Sequence, residues 1–432
     1  MRIFLGLAEI ASYYVNLVSG LEDEGVEAVF VDLSGNPYRY EGVGSKPRWI
    51  CVIESWLQVL RGGAGIGVSP RKILWAAVRM VLKVPIGLWA VWRFDILVLG
   101  AGTHFAGYYE LALMRFLGKR SVVIFHGTDA RPPYLSGRFV AGKGPIPAAR
   151  LARRTRRMKN KISRAERWAT VIVNHPPTAQ LADRPFVQWL WLGVPMKVPA
   201  DREGIADMRS VGLNEPTRIL HAPTSPTEKG TPEIRNAIES LRRAGKGIEY
   251  IEMIGRPNSE VLAEISKCDF VVDEIFSDTL LAGLGTEAAS LAKPVLVGGY
   301  ELKALRDSLN WPAPPSIAFL PDSVEDAILE SAAQPERIRN LGVEAREFVA
   351  EHWSPSQVAR RFLETLQHGP PHEALFDPLG NTFCAGWGLR RERASEAVRA
   401  IVQYGGEEAL CISSPITLQA VLGRAEPTDP KT

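Results

Sequence analysis

The chain has 432 residues, 46% of them hydrophobic and 23% charged, with a formal net charge of +3. That length exceeds one ordinary core and predicts two domains plus an extension, at about 100–200 residues per domain, while the composition excludes bulk disorder. The small net charge excludes a surface built throughout for nucleic acid, and four scattered cysteines, Cys51, Cys268, Cys384 and Cys411, exclude a disulfide framework or a paired-cysteine zinc site and fit a reducing compartment.

Along the chain, MRIFLGL reads as a first strand ending near Gly6 rather than as a secretion signal. A helical pattern to Glu24 and a second strand, VEAVFVD, follow. Residues 73–92 are apolar but interrupted by Arg79, Lys83 and Pro85. They fall short of the roughly 18 uninterrupted apolar residues of a membrane span, and predict a core-packed crossover helix, the alternative being that its tryptophans add to attraction to a membrane surface. DILVLGAG and SVVIFHGTD are strands on either side of the amphipathic YYELALMRFLGK, and TVIVNHP is another. Residues 150–167 carry nine basic residues against one acid, Glu166. This run is either a solvated face or a patch that attracts an anionic membrane surface or a polyprenyl-diphosphate acceptor.

A Pro- and charge-bearing stretch then breaks the pattern, and the alternation restarts. TRILHAP, IEYIEMIG, DFVVDEIF and KPVLVGG read as strands with helices between them, and SPSQVARRFLETL as a final helix. The predicted division is 1–198, a linker over 199–217, 218–367, and an extension over 368–432. In that extension GNTFCAGWGLRRERASEAVRAIV predicts one surface helix and RAEPTDPKT a disordered end. Strands alternating with helices imply an α/β fold of two Rossmann-like domains, with parallel sheets and ligands at the carboxyl ends of the strands.

Three places carry candidate chemistry. In HAPTSPTEKGT, Lys229 and Gly230 precede a helix starting near Thr231, and a lysine beside free helix N–H groups suits a diphosphate; the alternative is a solvated loop lysine. Glu287, in the first turn of a later helix, can accept two hydrogen bonds from a ribose diol, or merely complement the helix dipole. His126 in FHGTD stands at a strand end, where a lone histidine is more often structural and takes a role on a substrate hydroxyl or as a proton relay only through the resemblance described below; His104 in GAGTH reads as structural. Gly6 ends the first strand, where a helix N-terminus would meet a diphosphate from the opposite side, although Glu9 there would repel an anion.

In order and spacing, residues 218–300 resemble the donor-binding half of retaining GT-B glycosyltransferases, the large group that includes sucrose and mannosyl transferases. The resemblance implies two domains facing across a cleft, Lys229, Gly230 and Thr231 on the donor pyrophosphate, Glu287 on the ribose and His126 beside the transferred sugar. It further implies transfer with retention from a nucleoside-diphosphate sugar to a glycan or lipid-linked acceptor, with neither metal nor separate cofactor, in the cytoplasm or peripherally at the inner membrane face. Two positions depart from the pattern. Thr224 stands where the group carries arginine, and Thr279 where it carries glutamate. These departures leave open a catalytically idle binding module of the same fold, and a nucleotide-sugar epimerase is a further alternative.

Overall fold

The computed structural model describes residues 1–34, 46–61, 70–142, 144–199 and 216–425. The strands are β1 (Arg2–Leu7), β2 (Glu27–Asp32), β3 (Ile96–Gly100), β4 (Arg120–Ile124), β5 (Val171–Asn174), β6 (Phe186–Gln188), β7 (Thr217–His221), β8 (Ile248–Glu252), β9 (Phe270–Val272), β10 (Val295–Gly298), β11 (Ile317–Phe319) and β12 (Leu375–Phe376). They form two sheets, in the orders β12-β6-β5-β4-β3-β1-β2 and β11-β10-β9-β7-β8. All pairs are parallel except β12 with β6. Each sheet reverses its order beside its first strand, the position at which open parallel sheets leave a crevice.

The helices of the first half are α1 (Tyr13–Asp23), α2 (Arg48–Arg61), α3 (Pro70–Arg93), α4 (Tyr109–Phe116), α5 (Gly137–Val140), α6 (Ala148–Trp168) and α7 (Trp189–Leu192). Those of the second half are α8 (Thr231–Arg243), α9 (Asn258–Ile265), α10 (Gly283–Ser290), α11 (Leu302–Asp307), α12 (Val324–Ala333) and α13 (Pro335–His352). α14 (Pro355–His368), α15 (Arg391–Gly405) and α16 (Pro415–Ala425) follow. Strands covered on both faces must be apolar throughout, and β1 buries Ile3, Phe4 and Leu5 completely. α8 shows the complementary helical logic: Ile234, Ala237, Ile238 and Leu241 point inward while Arg235, Glu239, Arg242 and Arg243 face water.

The chain crosses back after its second sheet. α14 packs on α1, where Ser356 Oγ donates to Asp23 at 3.0 Å and Arg360 pairs with Glu24. The wholly buried Trp353 sits at that return, its carbonyl accepting from Met196 N at 2.8 Å. Burying a large apolar side chain is worth about 1.5–3 kcal/mol, so this crossing anchors one half on the other.

Two expectations need correction. The segment over 73–92 is not a core-packed crossover: Arg79, Lys83 and the partly buried Trp75, Val78 and Leu82 face the domain. An almost uninterrupted apolar stripe is left outside, and Pro85 does not end the helix. Ile73–Arg93 is long and apolar enough to cross a membrane by length and composition, and only 17% of its apolar window is buried. The extension is likewise more than one surface helix, for residues 381–390 run without regular structure between the two halves before α15 and α16 pack together. Their apolar side chains join Tyr134, Leu135 and Leu151 in one cluster, so the pattern that looked weak locally is satisfied by distant partners. Most of the expected linker (200–215) and the last seven residues (426–432) lie outside the described residues.

Candidate functional site

The carboxyl ends of both sheets supply loops to two adjoining cavities. One, of about 280 Å³, is lined from the first half by Ile10, His126, Arg131, His175 and Trp189, from the second by Lys229, Glu274, Asp278 and Thr279, and from the extension by Trp387. The other, of about 130 Å³, is lined by Thr224 after β7, Gly255, Arg256 and Asn258 after β8, and Glu287 of α10. Ala11 and Gly283 line both, so the two adjoin.

In the larger cavity the charges are already paired. Lys229 Nζ lies 2.6 Å from Glu274 Oε2 and 3.2 Å from Asp273 Oδ1. Burial alone would lower the ammonium pKa, but the two carboxylates outweigh it and raise it, so the lysine stays charged. Glu274 is held below the usual carboxylate range despite its burial, because Lys229 faces it and Ser277 Oγ and Trp387 Nε1 donate to it at 2.6 and 3.1 Å. Arg131 forms an ion pair with Asp278 across the cleft, and its guanidinium lies 5.4 Å from the centre of the Trp387 ring. Both cations that line this cavity therefore have carboxylate partners.

The histidines here are neutral at pH 7. Burial lowers His126 to about 3, and its Nε2 lies 2.7 Å from the hydroxyl of Tyr14, a phenol that burial keeps protonated. With Tyr14 donating to Nε2, the tautomer that remains carries its proton on Nδ1. His175 is also lowered by burial, and its Nε2 lies 2.6 Å from the backbone carbonyl of Asp278, an oxygen that can only accept. Its Nδ1 is thus an acceptor, and it is buried without a partner. The hydroxyl of Thr279 is also buried without a partner. Orphaned buried polar atoms are uncommon, yet five side chains lining this cavity carry one: the Tyr13 hydroxyl, Arg131 Nε, His175 Nδ1, Trp189 Nε1 and the Thr279 hydroxyl.

Glu287 sits in the second turn of α10, one turn deeper than expected. Burial raises its carboxyl to about 7, with a hydrogen bond from Asn258 opposing the rise. Arg256 follows Gly255 after β8 and is two-thirds exposed, held only loosely by Glu260 at 3.9 Å. It supplies this cavity with a cation although Thr224 has replaced the expected arginine.

His126 and Lys229 thus share the larger cavity and Glu287 the adjoining one, whereas Gly6, Gly230 and Thr231 line neither. Gly6 is inside the sheet, its carbonyl accepting from Thr103 Oγ1 at 3.1 Å. Gly230 caps α8 with φ +74°, and a Cβ there would stand 2.6 Å from Ile275. Thr231 is fully buried, its hydroxyl 2.8 Å from His221 Nε2. Glu9 does not face the cleft as a repelling charge: it accepts from the backbone of Ile10, Tyr14 and Val15 and organises the start of α1, and burial raises it to about 7. His104 accepts from Gly107 N at 2.9 Å and lines neither cavity.

Sequence reasoning missed His175, Arg256, Asn258 and Trp387. Three of these had a local signal, since NHP and IGRPN each stand at the carboxyl end of a strand. Trp387 had none. Its backbone N–H donates to Leu135, its carbonyl accepts from Gly137, and Gly388 N donates to Phe276, so one tripeptide joins both halves. Gly386 and Gly388 take φ of +81° and +65°, and a Cβ on Gly386 would stand 2.6 Å from the Leu135 carbonyl. Only glycine permits that approach. Among the described residues no cluster of three or more His, Cys, Asp or Glu is placed to hold a metal ion.

Two parallel α/β domains facing across a cleft, with a C-terminal extension, define the GT-B fold. A solved structure agrees in fold: the catalytic domain of starch synthase IV from Arabidopsis thaliana, bound to ADP and acarbose, matches with a TM-score of 0.51 and 11% identity, over 85% of this chain and 99% of that one. The Thermosynechococcus elongatus sucrose-phosphate synthase gives 0.49 and 13% over 85% and 98%, and Anabaena HepE in complex with UDP gives 0.47 and 12% over 85% and 99%. At such identities the likeness concerns the fold alone. No protein-family model matches the chain, and no curated protein matches it.

Proposed function

We propose that the protein is a glycosyltransferase that moves a hexosyl group, with retention, from a nucleoside-diphosphate sugar to a glycan or lipid-linked acceptor. The observation that carries this reading is the group of partnerless buried atoms, His175 Nδ1 and Thr279 Oγ1 among them, on side chains lining a cavity that adjoins the one holding a buried carboxyl, Glu287. A nucleoside fits the smaller cavity with its ribose diol donating to Glu287 and its phosphates near Arg256. The sugar then occupies the larger cavity, its hydroxyls meeting His175 and Thr279 and the Nδ1–H of His126. Leaving-group charge falls to Arg256 and to backbone N–H groups in a cleft shielded from water. Starch synthase IV, of like fold, is known with ADP and acarbose, which makes nucleotides and glycans the first ligands to try.

A thermal-shift panel of nucleoside diphosphates and their sugar conjugates tests this. Ligand at a hundredfold its dissociation constant adds about 2.7 kcal/mol of stability. Glu287→Ala should abolish the shift with every nucleotide, whereas Thr279→Val should remove only the increment due to the sugar. A sugar increment that survives in Thr279→Val would overturn the assignment. A second reading, a binding module without catalysis, is favoured by the pairing of Lys229 and Arg131 with carboxylates. Stabilisation by a sugar nucleotide with neither hydrolysis nor transfer to any acceptor would select it.

A further inference from the structure

The outer surface of the first half carries apolar side chains that nothing covers. On α2, Trp49, Val52, Trp56 and Val59 recur at helical spacing and are all exposed. On α3 the stripe continues through Val81, Val84 and Leu88 to Trp92, which is 84% exposed, and on α4 it ends at Phe116, 86% exposed. α2 packs on α3, α3 on α4, and α4 on α6, so the three stripes belong to one side of the domain. Monomeric proteins rarely leave such contiguous apolar area in water.

Charge indicates the occupant. Among the described residues of these three helices the only acids are Glu54, tied to Lys46 at 3.0 Å, and Glu110, buried and accepting from Phe105 and Ala106. The seam with α6 is basic. Arg115 donates to the Arg167 carbonyl at 3.3 Å, and Arg164 lies 5.0 Å from the centre of the Tyr109 ring. An apolar face with interfacial tryptophans and an arginine rim matches the boundary between acyl chains and anionic headgroups.

We infer that the α2–α3–α4 face docks on an anionic phospholipid surface, lying in its interface rather than spanning it. α3 is bound to its domain along the opposite side, where Ile86 and Ala90 are fully buried, and it enters the central strand β3 within three residues. Phe94 in that junction packs edge-on against Phe4 at 5.6 Å. A spanning α3 would pull these residues out of the core, whereas docking leaves them in place. The inference does not depend on the activity proposed above.

The test is flotation of the purified full chain with phosphatidylcholine vesicles, with and without phosphatidylglycerol. Co-flotation with the anionic vesicles, weakened by salt, is expected. Replacing Trp56, Val84, Trp92 and Phe116 by serine should reduce it at least tenfold while nucleotide-induced stabilisation is unchanged. Arg115→Glu with Arg164→Glu and Arg167→Glu should erase the preference for the anionic lipid. Three results would overturn the inference: no flotation with either vesicle, bound protein that resists alkaline carbonate extraction, or a solution dimer that the serine variant dissolves while vesicles recruit neither form. Nucleotide stabilisation is read separately, so failure here and failure of the proposed activity are distinguishable.

Discussion

The two cavities of the cleft handle charge in opposite ways. In the larger one a lysine and an arginine are each matched by a carboxylate, and apart from Arg131 Nε the orphaned atoms sit on neutral groups, a histidine nitrogen and a threonine hydroxyl among them. In the smaller one Glu287 is buried with no cation paired to it, and Arg256 stands largely in water. The first is electrostatically finished before anything binds and suits a neutral, hydroxyl-rich ligand. The second keeps strain that a ligand would relieve. Lys229, the residue the sequence offers most plainly for the diphosphate, consequently belongs to the stability of the site as much as to its chemistry.

The largest test of that contrast is Lys229→Ala. Removing one member of a buried ion cluster leaves uncompensated carboxylates, a loss of about 3–5 kcal/mol, to be read by equilibrium denaturation; a loss below about 1 kcal/mol would mean that the cluster is solvated. Glu287→Gln should act in the opposite direction. The carboxyl ionises near 4.5 when unfolded and near 7 when folded. Between those values the native state therefore holds the extra proton, and stability falls as pH rises. The variant should lose the Glu287 share of that slope, Glu9 keeping its own over the same window, and gain as much as about 3 kcal/mol above pH 7, while losing nucleotide-induced stabilisation. A slope unchanged between wild type and variant would remove the distinction between the cavities.

Trp387→Ala is expected to cost about 2 kcal/mol, less than the ~3–5 of a fully buried tryptophan because the ring is partly open. It should also release the restraint on Glu274. Smallest is Thr279→Val, which removes an unsatisfied hydroxyl at nearly constant shape and should change unfolding stability by under about 1 kcal/mol in either direction. Its effect belongs in ligand binding, and a stability loss above that bound would show that the hydroxyl has a structural partner.

Much of this was legible in the sequence because it is local. The central strands are buried on both faces, so continuous apolar runs announce them, and His126, Lys229 and Glu287 were found because each stands at or near the end of an element that such runs define. What could not be read depends on distance along the chain. The bond from Trp387 to Glu274 spans 113 residues, and no periodicity in either segment encodes it. α3 failed for another reason. Its pattern contains two usable faces, and the charged interruptions do not say which one meets solvent: Lys83 reaches inward to the carbonyl of His104 at 2.9 Å. An amphipathic pattern identifies a helix but says nothing of which neighbour will claim its apolar side.

The Gly386-Trp387-Gly388 tripeptide bears on how the molecule is made. A ribosome delivers the chain from its N-terminus, so all twelve strands have emerged before Trp387 does. The nascent protein passes through a stage in which its halves have their sheets but the cavity between them lacks a wall. Products cut short near residue 380 would remain there, with most of the secondary structure present and the cleft unsealed. The wall that Trp387 gives the cavity is thus complete only once the extension is in place.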